Sequence, residues 1–313
     1  ILPDETRMIS PMSIEAPTYR NFNNLGTTVT DYHPHVDMDF ALNPVNRING
    51  NFNYTVQDYI VPSSALALDW SRTYNSMASN NQSPEYMRNH ATYGHFGNQW
   101  RHSYQVELDV QSAPLGVVEL ILADGSRHRF TQNASNPTQF RSQSLRSWTL
   151  HHSDSLIGDW TAYQADGQQL TFDAAGRLQG ISNALGQALL FSEMPPSYAQ
   201  AMDAAGGFFI TESYGRRLAV YTDTDFRIIA VQGVQGRVLR YDYDTDNQLI
   251  NVDYLGADYQ ATYEYQAGLL VRLDDVNSPI AQSLSIAYND SGQVTGFTDY
   301  PDAEQSQHYS LSY

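Results

Sequence analysis

The sequence predicts an all-β protein whose antiparallel strands stack or spiral as hairpin repeats. Three observations lead to this fold class. Several runs, such as residues 105–110, alternate polar and apolar side chains, as a strand with one buried face does. Asp-Gly pairs separate such runs, and they supply the positive φ angles of tight hairpin turns. The second half repeats a hairpin-sized unit, and a single hairpin needs neighbours to be stable.

The elements follow one another along the chain in a simple order. Residues 1–43 are irregular and predict an extended lead-in. Residues 44–110 hold the first strand-like runs, interrupted by a long polar loop at 75–95. Two hairpins are predicted around Asp124-Gly125 and Asp166-Gly167. Between Pro195 and Gly206 we expect one short turn of helix, capped by Ser197.

A repeat with a spacing of roughly 20–30 residues occupies the second half, which is typical of stacked β architectures. Each unit places an apolar side chain at an equivalent position, and three residues later a second equivalent position follows, held by Ile181, Thr211, Val231, Val252, Leu273 and Phe297. These side chains should form ladders along the inner face of the sheet. The first set, which we interpret as the repeat core, comprises Leu178, Phe208, Ile228, Leu249, Leu270 and Val294.

Composition limits the possible partners. The net charge is -17 and all 17 basic residues are arginine, so no basic stripe is present for nucleic acid or anionic lipid. The absence of cysteine excludes disulfides and thiolate metal sites. No apolar run approaches the ~20 residues of a membrane helix, so we expect no membrane span.

Several of these motifs resemble one protein family. Tyr-Asp pairs in the run 241–244, followed by the run 249–252, are similar to the YD repeat of RHS proteins, and so is the run 288–294. The runs 44–50 and 70–76 resemble the family's opening segment. An element before the repeats matches the family's Gly-x-x-Trp-Arg-His-Ser-Tyr pattern, with Gly97, Trp100, Arg101, His102 and Tyr104 as its structural residues.

The resemblance to RHS/YD-repeat proteins implies a fold and a role. Such chains coil a long β-sheet into a hollow shell or an open β-spiral, and in bacterial toxin systems the shell encloses a C-terminal toxin. It implies a lead-in at 1–43, a start segment at 44–160 and YD repeats at 161–313. The family's self-cleaving aspartate motif does not occur in the sequence, so we expect a non-catalytic segment. Its partners would be further RHS repeats, copies of itself or an enclosed toxin, outside a bacterial cell.

Few residues suggest chemistry. His33, His35, Asp37 and Asp39 alternate with apolar residues, and one face of such a strand could ligate a metal. We favour a strand with a solvated face, because Pro34 indicates an irregular segment, and we expect no cofactor. Arg101 and His102 lack a recognisable nucleophile, which favours a structural role beside Trp100. The acids at 242, 244 and 246 lack the glycine and glutamate of a calcium loop.

Two other functions remain open at this point. An extracellular adhesive or filament-forming surface protein could arise by head-to-tail association of sheet edges, since an unpaired edge templates further pairing. A carbohydrate-binding module is the second alternative, although no carboxylate spacing marks a sugar site.

Overall fold

The computed structural model describes residues 45–46, 48–61, 66–78, 94–153, 159–255, 260–275, 283–300 and 306–311. The predicted all-β class is confirmed. The strands are β1 (Asn53–Val61), β2 (Leu68–Asn75), β3 (Trp100–His102), β4 (Glu107–Asp109), β5 (Val117–Ile121), β6 (Arg127–Asn133), β7 (Asn136–Ser142), β8 (Trp148–His152), β9 (Trp160–Gln164), β10 (Gln169–Phe172), β11 (Leu178–Ser182), β12 (Ala188–Glu193), β13 (Gly206–Glu212), β14 (Arg217–Thr222), β15 (Ile228–Gln232), β16 (Val238–Tyr243), β17 (Leu249–Leu255), β18 (Gln260–Gln266), β19 (Leu269–Asp274), β20 (Ser283–Tyr288), β21 (Val294–Asp299) and β22 (Gln307–Ser310). One short α-helix, α1 (Pro196–Gln200), interrupts them within these ranges.

Strands β4 to β22 form one continuous antiparallel sheet, which we call the wall. Each strand pairs with its neighbours in sequence, as in a long meander. The sheet also curls back on its own beginning. Glu107 forms an antiparallel bridge with Arg177, and the Leu108 N–H donates to the Gly176 carbonyl at 2.9 Å.

The hairpins of the second half share one turn chemistry. In the turn that begins at Asp223, the side-chain oxygen accepts the backbone N–H groups of Asp225 and Arg227, each at 2.9 Å. Asp173, Asp244 and Asn289 hold their turns in the same way. The fourth residue of each turn has a positive φ, which produces a type I turn with a bulge.

The wall buries one face, and the repeat-core residues lie on it. Leu178, Phe208, Ile228, Leu249, Leu270 and Val294 are all at most 2% exposed and belong to one apolar cluster. Five of the six are the first or second residue of a strand, and a one-residue bulge in that same strand follows each of them directly. Phe208 differs because residues 194–205, including α1, replace the tight turn before it. It therefore pairs in regular register with Glu193 of the preceding strand.

Helix α1 covers the outer face of the wall over β13 to β15. A second apolar cluster lies there, containing Ala199 of the helix and Phe209, Tyr221 and Ala230 of the sheet. The expected short helix is thus present, but Ser197 is not its cap. Pro195 occupies the N-cap position and no side chain caps the helix, because Ser197 lies inside its first turn.

Strands β1 to β3 form a separate three-stranded antiparallel sheet. We call residues 45–104, as far as they are described, the opening module. Alternate residues of β2 are buried, and these include Leu68, Trp70 and Tyr74. They join the same apolar cluster as the inner face of the wall, so the small sheet packs on the concave side of the repeats. No helix among the described residues is long and apolar enough to cross a membrane.

Candidate functional site

The most unusual chemistry of the molecule lies where the opening module meets the repeats. Arg72 projects from β2 between two aromatic neighbours on the same face, Trp70 and Tyr74. Its side chain is completely buried. A buried guanidinium requires compensating charge and hydrogen bonds, since desolvation of an ion costs several kcal/mol.

Two carboxylates compensate Arg72. Asp58, from β1, takes a forked pair of hydrogen bonds, with Nε–Oδ2 at 2.5 Å and Nη2–Oδ1 at 2.8 Å. Asp275, which follows β19, accepts from Nη2 at 3.3 Å. All three side chains are 0% exposed. Among the described residues, Arg72 therefore contacts two acids, one from the small sheet and one from the wall.

Tyrosines of the repeats donate to these acids. The hydroxyls of Tyr241 and Tyr254 donate to Asp58, at 3.2 and 2.6 Å. The hydroxyl of Tyr263 donates to Asp275 at 2.7 Å and accepts from Arg72 at 2.6 Å. Hydrogen bonds to a charged group contribute more than neutral ones, so these hydroxyls help to offset the desolvation of the buried acids.

The electrostatics follow from this packing. Burial by itself would lower the pKa of Arg72, but Asp58 and the neighbouring tyrosines raise it well above its ordinary value. Burial raises the pKa of Tyr241 and Tyr263 well above the ordinary value of a phenol. At ordinary pH, Arg72 is therefore charged and the hydroxyls of Tyr241 and Tyr263 are neutral.

Tryptophans complete the contact between the sheets. The indole N–H of Trp70 donates to the Tyr241 hydroxyl at 3.0 Å, and that of Trp100 donates to the Tyr265 hydroxyl at 2.8 Å. The Arg72 guanidinium also lies 5.5 Å from the Trp100 ring centre. A cation over an indole adds roughly 0.5–2 kcal/mol. Polar tips and apolar rings thus fix the register between the two sheets.

The opening module is also joined by its backbone to successive turns along one rim of the wall. The N–H of His95 donates to the carbonyl of Phe226 at 3.1 Å, and that of Asn98 to the carbonyl of Asn247 at 2.9 Å. Further along, the Val294 N–H donates to the carbonyl of Gly50 at 2.9 Å. We call this set of contacts the laced rim. It continues through the Leu108 bond to the first repeat turn.

Gly97 shows why the motif requires glycine. Its φ is +79°, and an added Cβ would lie 2.3 Å from the Asn247 carbonyl oxygen. Any side chain there would displace the backbone of the opening module from the turn. The glycine therefore provides the close approach on which the laced rim depends.

The remaining residues of the predicted structural motif surround this contact. Trp100 and His102 lie in β3 and are buried. Arg101 pairs with Glu107 at 3.0 Å and donates to the Gln105 carbonyl at 2.6 Å. The hydroxyl of Tyr104 accepts the backbone N–H of Asp69 at 2.9 Å.

Two buried histidines hold the laced rim. The Nδ1 atom of His95 accepts the Gly97 N–H at 2.9 Å, which leaves Nε2 to donate to the Asp225 carbonyl at 3.1 Å. His102 accepts the Tyr104 N–H on Nδ1 at 3.3 Å and stacks on Trp70. Burial lowers the pKa of His95 to about 4 and that of His102 to about 3. Both rings are therefore neutral.

The residues that the sequence suggested as possible metal or calcium ligands do not form a metal site among the described residues. His33, His35, Asp37 and Asp39 lie outside the described residues. Within the described ranges, no group of three or more His, Cys, Asp or Glu is placed to hold a metal. Asp244, taken from the possible calcium pattern, holds its own turn by accepting the N–H groups of residues 246 and 248.

One serine–histidine pair was not anticipated. The Ser126 hydroxyl lies 3.1 Å from Nε2 of His128, and the Ser144 hydroxyl lies 3.0 Å from Nδ1. Ser126 is 0% and His128 3% exposed. Burial lowers the pKa of His128. At this burial, the bonds satisfy the polar groups of the pair inside the wall.

Residues 42–130 match the protein-family model described as Domain of unknown function (DUF6531). This stretch contains the opening module and the first strands of the wall, where the family's opening segment and Trp-Arg-His-Ser-Tyr element were placed from sequence. The resemblance to RHS/YD-repeat proteins is confirmed. No curated protein matches the chain.

Solved structures of toxin-complex proteins are similar to this chain. A crystal structure of TcdB2-TccC3-Cdc42 is 13% identical with a TM-score of 0.34, over 77% of this chain and 16% of that one. TcdB2-TccC3 without its hypervariable C-terminal region is 12% identical with a TM-score of 0.33, over 58% and 11%. A Photorhabdus luminescens Tc holotoxin pore is 11% identical with a TM-score of 0.25, over 60% and 12%. The chain thus spans less than a fifth of their length.

The central acids were missed in the sequence. Asp58 and Asp275 each stand alone among ordinary strand and turn acids, in a chain with 34 acidic residues. In the sequence, Arg72 is only one residue of the run 70–76 that resembles the opening segment. An arginine on the apolar face of an alternating strand is the signal that could have identified the centre, because a buried cation requires acidic partners.

Proposed function

We propose that this chain is a non-catalytic structural segment of a β-shell that encloses or presents a cargo polypeptide, such as a toxin domain. The observation that carries the proposal is the single uninterrupted meander from β4 to β22, which curls back on its first strand. Backbone groups of its inner strands pair laterally on both sides. Such a sheet separates an inside from an outside without depending on any one side chain.

The opening module supports the same role. It lies on the concave side and is tied to successive hairpins by the Arg72 centre and the laced rim. A wall assembled from hairpins that interact only with their neighbours is otherwise free to change curvature. Contacts that span several hairpins at once fix that curvature and define where the wall begins.

The proposal extends to partners and location. Further RHS repeats or copies of the chain would continue the wall, and the acidic surface, at a net charge of -17, suits solubility rather than nucleic-acid binding. We place the assembled protein outside a bacterial cell, in line with the family resemblance.

Protease protection tests the enclosure of cargo. The polypeptide encoded by the native reading frame would be purified, treated with a nonspecific protease and analysed by mass spectrometry, with negative-stain images of the same sample. We expect hollow particles and a second polypeptide stretch that resists cleavage. The matched variant Leu249→Asp breaks the apolar face of β17 and should expose that stretch.

Three outcomes would overturn the proposal. Filaments without any protected stretch would favour the adhesive or fibre alternative. Selective binding on a glycan array, without hollow particles, would favour the carbohydrate-binding alternative. Protection that is equal in the native protein and in Leu249→Asp would show that the wall is not the barrier.

A further inference from the structure

We propose that His95 and His102 form an acid-sensitive latch that holds the opening module on the laced rim and releases it when the imidazoles become protonated. This regulatory device goes beyond the shell role, and it does not depend on what the wall encloses. It rests on hydrogen-bond geometry, burial and the position of both rings in the contact.

The geometry requires both imidazoles to be neutral. A backbone N–H points at Nδ1 of each ring, from Gly97 in one case and Tyr104 in the other. A proton on Nδ1 would place two hydrogens against each other and break that bond. Each Nε2 faces a carbonyl, of Asp225 for His95 and of Gly94 for His102, so no second acceptor offsets the loss.

The two rings occupy the same short stretch of the opening module. His95 lies at the turn that begins at Asp223, and Gly94, whose carbonyl faces His102, is its direct neighbour. His102 lies between Trp70, stacked at 4.9 Å, and Phe96, edge-on at 6.1 Å. Protonation of either ring therefore strains the segment that carries the other.

The surrounding charges do not make protonation favourable in the docked state. Asp223 and Asp225 favour a charged His95, whereas Arg227 from the same turn opposes it, and burial is the largest effect. Arg101 and His95 both oppose a charged His102, which is fully buried. Both histidines thus resist protonation in the docked state and accept protons readily once released.

Linkage gives the expected size of the effect. A histidine that titrates near 6.5 when exposed and near 4 when docked shifts the release equilibrium by roughly 30-fold between pH 7.5 and pH 5. With His102 titrating lower still, the two together set an upper limit of about 1000-fold. We therefore expect the protection of residues 94–104 from hydrogen exchange to fall at least tenfold from pH 7.5 to pH 5.

Hydrogen–deuterium exchange with mass spectrometry tests the latch on the intact chain. Peptides covering residues 94–104 should lose at least tenfold protection from pH 7.5 to pH 5, after correction for intrinsic rates, while peptides of β16 and β17 keep theirs. In His95→Gln/His102→Gln the loss should fall below threefold. His308→Gln, at an exposed position on β22, should behave as the native chain.

One further variant and one further measurement separate the latch from general acid lability. His128→Gln removes a histidine buried in the wall and should leave the loss at 94–104 unchanged. If the double variant does not fold, histidine-selective nitrogen NMR on the native chain replaces it. Both rings should show a bare Nδ1 at pH 7. Doubly protonated rings at pH 7, or equal protection at both pH values, would overturn the proposal.

Discussion

The buried ion centre makes a sharp prediction about Arg72→Met. The substitution keeps most of the side-chain volume but removes the guanidinium that contacts the buried carboxylates of Asp58 and Asp275. Removing one partner of a buried pair costs about 3–5 kcal/mol, because the remaining charge is uncompensated. At about 1.5 °C per kcal/mol for a chain of this length, the melting temperature should fall by roughly 5–8 °C.

The matched control is an exposed pair with nearly the same distance. Arg177 and Asp173 lie 2.6 Å apart, but the arginine is 46% exposed. Exposed pairs contribute about 0–1 kcal/mol, so Arg177→Met should melt within about 2 °C of the native chain. Circular dichroism at neutral pH, followed by a urea titration of the same proteins, measures both effects.

A triple variant isolates the charge imbalance from the loss of packing. Asp58→Asn, Arg72→Met and Asp275→Asn together remove all three charges, and uncharged replacements of a buried ionic group are often tolerated. The triple variant should therefore recover more than half of the stability lost in Arg72→Met. If Arg72→Met melts with the native chain, or if the triple variant is the least stable, the ionic explanation of this contact is wrong.

Three other perturbations follow from the structure. Leu249→Asp buries an unpaired carboxylate on the inner face and should destabilise the chain by more than about 4 kcal/mol in urea, whereas Leu255→Asp, at a 42% exposed position of the same strand, should change it little. Gly176→Ala would place a Cβ 2.0 Å from a backbone carbonyl oxygen and should loosen the first repeat turn in hydrogen exchange. Gly186→Ala has a similar φ but meets nothing within 4 Å, so equal effects would contradict the proposed close approach. Burial raises the pKa of Tyr263, so it remains neutral in the folded chain while the unfolded chain ionises near pH 10. Its contribution to stability is present below about pH 10 and is lost at higher pH, and tyrosinate absorbance should therefore rise together with unfolding and not before it.

Local patterns in the sequence are sufficient to predict the strands and turns of the wall. Period-2 alternation and the Asp-Gly turns predicted the hairpins at Asp124-Gly125 and Asp166-Gly167, and both form as predicted. The repeat register placed Leu249 and its equivalents on one face. These features depend on residues close in sequence, where side-chain direction and turn chemistry are fixed by the backbone.

The contact between the opening module and the repeats could not be predicted in the same way. Alternation in β2 shows that one face is buried, but it does not show what covers that face. Asp275 reaches Arg72 across 203 residues of sequence, and nothing local distinguishes it from the other acids. The helical insertion before Phe208 also disrupts one repeat, because it replaces a tight turn while leaving the apolar side chain in place.

The tyrosines of the repeats reveal how the position of a hairpin along the wall is encoded. Tyr243 and Tyr265 donate to the carbonyls of Ile228 and Leu249 in the preceding hairpins, at 2.7 and 2.6 Å, so the hydroxyl protons of both find acceptors within the wall. Tyr241 and Tyr263 stand two residues earlier, and their hydroxyls find partners in the opening module. The equivalent inward positions of other hairpins are apolar, such as Leu170, Val220 and Ile286. A buried hydroxyl without a partner costs about 1–3 kcal/mol. The hairpins that carry Tyr241 and Tyr263 are therefore specified as the docking place of the opening module. Docking on any other hairpin would leave Arg72 and its carboxylates without these hydroxyl partners.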